Sequence, residues 1–217
     1  MLYSLLGLCL LPIFLLIIYC FSFVHPISTL MLRDIAFLRG YERQWVPLEN
    51  ISPHLIRAVL MSEDGQFCNH SGVDWAALKT VIDTGQSRGA STITMQTVKN
   101  LFLWNGRSYL RKTTEIPLAL TADLILSKRR QVEIYLNIVE WAPGIYGAEA
   151  AAQHYFKRSA KVLNANQAAA LATTLPNPYV RNPVKPGKYQ SLSIRRVMQR
   201  MKQAAPYVTC VFDKTNQ

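Results

Sequence analysis

From Leu2 to Val24 the chain carries no charged side chain, and most of its residues are Leu, Ile, Phe, Val or Tyr. A helix needs roughly 20 apolar residues to cross a bilayer, so this run is long enough for one span. A removable signal would show a basic leader, a shorter apolar core and a small-residue cleavage site. None is evident, and the run reads as an uncleaved anchor. Pro12 within it is a kink that a membrane helix tolerates. The feature divides the chain into an anchor (1–24), a juxtamembrane connection (25–50), a main domain (51–190) and a basic C-terminal helix and tail (191–217). Tyr41 and Trp45 in the connection suit the membrane interface. Arg33, Arg39 and Arg43 follow the span, and by the positive-inside rule they place what comes after it in the cytoplasm.

The 24 Lys and Arg exceed the 13 Asp and Glu, giving a formal charge of +11. Such a surface favours an acidic partner: anionic membrane, phosphorylated substrate or nucleic acid. No basic run interleaved with aromatics and no zinc-type cysteine spacing is present, which puts membrane and phosphate ahead and nucleic acid out. Cys68 and Cys210 could pair in an oxidising compartment, but free buried thiols are the simpler expectation.

Periodicity makes the soluble part mostly α. Ser52 caps and Pro53 opens a helix whose Leu55, Ile56, Val59 and Leu60 share a face and which runs out at Glu63-Asp64. Asp74 caps a short helix. The stretch 85–89 is a flexible loop and a candidate moving flap. Ser91 to Leu103 is helical, and Asn105-Gly106 breaks it. Ser108 caps a helix toward Leu126, and Gln131 to Val139 forms an amphipathic one. Gly147 to Phe156 and Asn164 to Ala172 are small-residue helices, and Ser193 to Lys202 is a basic one. Four prolines from Pro176 to Pro186 make an extended connection. Strand alternation is weak throughout.

Two adjacent acids at a helix C-terminus oppose its macrodipole, which prefers cations there. Glu63 and Asp64 are by themselves read equally well as a solvated helix end or as a place where a carboxyl is nudged toward the basicity a general base needs. Glu115 follows Arg111 and Lys112 at four- and three-residue spacing, on one helix face and in the poorer order for a simple surface pair. Lys99, Arg107, Arg111 and Lys112 gather cations in a short span. The ordinary reading is a solvated basic face; the sharper one is a diphosphate cradle. Two carboxylates with such a cradle suit glycosyl transfer onto an attacking hydroxyl. His70, Tyr135 and Asn137 read as hydrogen-bonded structural residues.

The motifs Glu63-Asp64-x-x-Phe67-x-x-His70-x-Gly72-x-Asp74, Gly89-Ala90-Ser91-Thr92-Ile93-Thr94-Met95-Gln96-x-x-Lys99-Asn100, Arg111-Lys112-x-x-Glu115 and Glu133-x-Tyr135-Leu136-Asn137 resemble the peptidoglycan glycosyltransferases. Glu140-Trp141-Ala142-Pro143-Gly144-x-Tyr146-Gly147 and Leu175-Pro176-Asn177-Pro178 look like the monofunctional biosynthetic kind. The resemblance covers residues 45–185 in order. It implies a lysozyme-like, two-lobed helical domain behind one N-terminal transmembrane helix. It implies polymerisation of lipid II by inverting β-1,4 transfer, with release of undecaprenyl diphosphate. Glu63 matches the general base and Glu115 the second glutamate; Lys99, Arg107, Arg111 and Lys112 match phosphate-holding positions. Asp64, Ser91, Thr92, Gln96 and Asn100 match polar cleft positions. Met95 departs from the pattern, which usually has a glutamine there. The family works outside the cytoplasmic membrane, opposite to the side given by the charge count.

The implied partners are lipid II, the growing glycan strand and the membrane, with penicillin-binding and division proteins as candidates. No cofactor is required, and a divalent cation (Mg or Mn) is compatible with the reaction. Cross-linking is not expected of this chain. A lytic lysozyme-like enzyme and a non-catalytic scaffold of cell-wall assembly are the competing readings.

Overall fold

The computed structural model describes residues 2–85, 90–104, 106 and 109–212. Its helices run α1 Leu2–Tyr19, α2 Thr29–Ala36, α3 Pro53–Glu63, α4 Trp75–Thr84, α5 Ile93–Phe102, α6 Tyr109–Ile125, α7 Lys128–Ile138, α8 Ala148–Phe156, α9 Ala165–Ala172, α10 Lys188–Lys202 and α11 Thr209–Phe212. The caps carry the argument for most boundaries. Ser52, Asp74, Thr92, Ser127 and Asn164 each accept a hydrogen bond from a first-turn amide. The expected caps Ser52 and Asp74 are in place. Ser127 starts α7 three residues ahead of the expected Gln131, and α10 starts at Lys188 rather than Ser193. The expected flap at 85–89 and the cap Ser108 fall largely outside the described residues.

Helix α7 is the axle. Every residue from Arg130 to Ile138 is buried, so it is not the one-faced helix its sequence suggests. Its polar residues are tolerated because each finds a partner. Gln131 accepts from the Thr94 hydroxyl at 2.7 Å and donates to the Leu126 carbonyl at 2.9 Å. Asn137 brackets Val46, accepting from its N–H and donating to its C=O, both at 2.9 Å. Glu133 is paired with Arg130 and accepts from the Leu48 amide at 3.3 Å. One side of α7 packs in a core with α3, α8, α9 and α10, where Leu55, Leu60, Tyr135 and Trp141 are fully buried. The other side packs with α1, α2, α5 and α6 around Met31, Met95, Val98 and Ala119. The alanines of α8 and α9 let backbones approach closely, and α9 lies along α3.

Strand pairing that the sequence did not announce sits in the connection. β1 (Glu42–Arg43) lies parallel to β3 (Ile145–Tyr146), which lies antiparallel to β2 (Glu140–Ala142). Residues 25–50 therefore form α2, β1 and a 3₁₀ turn rather than a loose tether. Tyr41 packs edge-on to Tyr146, and Trp45 stacks on His25 at 4.6 Å with the Arg43 guanidinium at 4.9 Å. Both aromatics thus pack against the domain rather than standing out toward an interface.

Helix α1 stops at Tyr19, short of the expected Val24. The Arg130 guanidinium donates to the carbonyls of Tyr19, Phe21 and Val24 at 2.8, 2.9 and 2.5 Å, closing the helix end. Leu16 is fully buried against the domain. Among the described residues, no helix is long and apolar enough to cross a membrane.

Cys68 and Cys210 are joined, with Cα atoms 5.6 Å apart, against the expectation of free thiols. The bridge closes 142 residues and pins α11 to the loop after α3. The sequence offers that pairing only as the alternative to free thiols, because no local spacing joins the two cysteines.

Candidate active site

The two acids at the end of α3 divide their duties. The Asp64 carboxylate accepts from the Ile93 amide at 2.8 Å and lies 2.9 and 3.1 Å from the Nε2 of His70. Ile93 opens α5, where an anion is favoured by the helix dipole. Asp64 thus ties the end of α3 to the start of α5, a backbone duty that its neighbour Glu63 does not share. Thr92 is equally internal: its hydroxyl donates to the Gly72 carbonyl at 2.6 Å and accepts from the Met95 amide at 3.1 Å. Gly72 sits there at φ +79°, with the Ala119 carbonyl where a Cβ would be.

Glu63 opens instead onto a cavity of about 250 Å³ lined by Asp64, Asp74, Ser91, Thr92 and Arg200. Its carboxylate accepts from the Gln96 Nε2 at 3.2 Å and the Ser62 hydroxyl at 3.3 Å. The Tyr135 hydroxyl donates to the Gln96 Oε1 at 3.0 Å, which aims the amide N–H at Glu63. Burial raises the Glu63 carboxyl above the ordinary carboxylate range, against the pull of Gln96, Ser62 and the Arg181 charge. Burial also raises the Tyr135 phenol well above its usual value, so it remains a donor.

Glu115, on α6, is 2 % exposed. It is paired with Arg111 one turn before it and accepts from the Lys112 Nζ at 3.1 Å. The same Nζ donates to the Ser91 hydroxyl at 2.9 Å, and Ser91 lines the Glu63 cavity. Arg111 also donates from Nε to the Gly106 carbonyl at 2.7 Å. Lys99 is pushed below its usual pKa by burial and by the Arg111 charge, and drawn up by Glu63. Lys112 falls to about 8, through burial and the charges of Arg111 and Lys99. The three cations are crowded enough to depress two of their own number, a tension that an anion bound among them would relieve.

The expected residues divide accordingly. Glu63 and Gln96 form one hydrogen-bonded group and Ser91, Lys112, Glu115 and Arg111 another; Ser91 lines the Glu63 cavity, and Lys99 feels the charges of both Glu63 and Arg111. Asp64 and Thr92 border the cavity but are occupied in holding the backbone. Asn100 is buried, and its backbone carbonyl accepts from the Thr29 hydroxyl at 3.2 Å. Arg107 lies outside the described residues. Met95 is fully buried in the core, so its place in the motif is a packing position and the cleft amide is Gln96. Tyr135, read from the sequence as a hydrogen-bonded structural residue, orients that amide. Its place in the Glu133-x-Tyr135-Leu136-Asn137 motif was the available signal. Among the described residues no three His, Cys, Asp or Glu side chains gather in one group.

Residues 30–202 match the family model described as transglycosylase. Among the relatives, the biosynthetic peptidoglycan transglycosylase of Brucella suis biovar 1 is 62% identical over 208 residues, 94% of this chain and 93% of that one. The protein of the same name from Agrobacterium fabrum is 54% identical over 214 residues, 97% of this chain and 95% of its own length. That from Rhizobium meliloti is 53% identical over 212 residues, 96% of this chain and 90% of the relative. A buried free carboxylate, a paired one and a cationic cluster therefore occur in a chain that is similar over nearly its whole length to these enzymes. The chain belongs to the transglycosylase family, on the monofunctional side of the peptidoglycan glycosyltransferases.

Proposed function

We propose that this chain polymerises the glycan of peptidoglycan from lipid II, with Glu63 as the base. The Glu63 carboxylate takes the proton of the acceptor sugar's 4-hydroxyl. The freed oxygen attacks the donor's anomeric carbon as the bond from that carbon to the diphosphate breaks, which inverts the centre and leaves a β-1,4 linkage. Lys99, Arg111 and Lys112 take up the charge on the departing undecaprenyl diphosphate. Glu115 holds Arg111 and Lys112 in place. The observation that carries this reading is Glu63 itself: the carboxylate at the mouth of a cavity, raised in basicity by burial and hydrogen-bonded only by neutral donors.

Two features support attachment to the outer side of the cytoplasmic membrane. The Cys68–Cys210 bridge suits an oxidising compartment, and it outweighs the charge count around the anchor. Leu32, Ile35, Phe37 and Leu38 form an exposed apolar band on α2 and the turn after it, with Leu38 95% exposed. Together with α1 they provide apolar surface on the side where a lipid-linked donor would arrive.

The test is a gel of products from the purified full chain with labelled lipid II. A ladder of glycan strands with release of undecaprenyl diphosphate is expected. Fragments from preformed peptidoglycan without that ladder would assign a lytic enzyme instead.

A further inference from the structure

Between Glu149 and Asp213 the sequence holds ten Lys and Arg and no Asp or Glu. None of these cations takes part in an ion pair among the described residues. Several stand on α10. That helix buries Gln190, Ile194 and Val197 against α3 and α9 and turns Arg195, Arg196, Arg200 and Lys202 outward. A groove of about 460 Å³ runs along this outer face, lined by Arg196, Gln199, Arg200, Lys202 and Gln203, with no acidic and no apolar side chain. Arg200 belongs to both this groove and the Glu63 cavity. Its Nη1 donates to the Met61 carbonyl at 3.2 Å, two residues before the base, which fixes the junction.

We propose that this groove is a run-out subsite for the carboxylates of a saccharide chain whose end lies in the Glu63 cavity. The proposal rests on the reaction read above: lipid II is a disaccharide-pentapeptide on its diphosphate, so a strand built from it carries peptides ending in carboxylates. Three cations without counter-ions attract such groups, and guanidinium forks match their geometry. A bilayer is the poorer occupant. The exposed apolar band lies on α2, which packs on α5, whereas α10 packs on α3 and α9 and exposes no large apolar side chain from Arg195 to Lys202.

The double variant Arg196→Gln/Lys202→Gln removes two exposed charges and no buried contact. Binding of uncross-linked, peptide-bearing glycan strands to the full chain is expected to weaken about tenfold, as loss of two attractive contacts would give. Strands stripped of their peptides by an amidase should bind the variant and the parent alike. Equal loss with both kinds of strand, no loss with either, or loss confined to binding of vesicles containing anionic lipid would overturn the proposal. A parent protein that makes no polymer from lipid II would instead count against the reaction, because the strand-binding comparison needs no turnover.

Discussion

The two glutamates of the site are the same residue type in opposite surroundings. Glu63 ends α3, has neutral donors for partners and is pushed up in basicity by burial. Glu115 lies mid-helix on α6, more fully removed from solvent than Glu63, and is bracketed by two cations. A buried carboxylate left without a cation is poised to take a proton. One between Arg and Lys is a spacer that keeps positive charge in position. The adjacent pair Glu63 and Asp64 repeats the lesson: the acid that meets an amide and a histidine is structural, and the one without them is left for chemistry.

The comparison predicts stability changes of opposite sign. Glu63→Gln should lower turnover about a thousandfold, because the base is gone. It should also raise the thermal midpoint at neutral pH by a few degrees. A folded carboxyl raised above its unfolded value destabilises the fold as pH climbs through the folded pKa, and the amide escapes that penalty. Glu115→Gln should lower turnover about a hundredfold and destabilise the fold by about 2 kcal/mol, since Arg111 and Lys112 lose their partner in a partly screened setting. Calorimetry beside the product assay checks both signs. If both variants destabilise alike, the distinction between the two carboxylates fails.

The cationic pole has its own pH signature. Lys112 titrates near 8 in the free protein and loses its charge as pH rises through that value. The ratio kcat/KM for lipid II should then fall above pH 8, about tenfold per unit. Lys112→Arg should move that limb out of range, because a guanidinium stays charged. The smallest effect belongs to the second layer around the base. Tyr135→Phe removes the hydroxyl that aims Gln96, and kcat should drop roughly fivefold, about the worth of one hydrogen bond, with KM little changed.

Much of this was legible before any coordinates. The caps Ser52 and Asp74, the end of α3 at Glu63 and the Arg111-Lys112-Glu115 spacing follow from local rules, and local rules survive folding. What stayed hidden depends on contacts distant in sequence. By local rules alone, without the family resemblance, Asp64 cannot be told from Glu63 until Ile93 and His70 arrive beside it. Tyr135 looks like core until Gln96 comes within reach. Helix α7 reads as one-faced because its Gln131, Glu133 and Asn137 are satisfied only by partners from other elements. The Cys68–Cys210 pair spans 142 residues, and no spacing announces it.

The most direct test is the pH dependence of a single round of glycosyl transfer on saturating lipid II. The account predicts an acidic limb displaced above the ordinary carboxylate range, because Glu63 must lose its proton to act and burial makes it keep that proton to higher pH. A limb at or below the ordinary range, or one that is unchanged in Glu63→Gln, would contradict it.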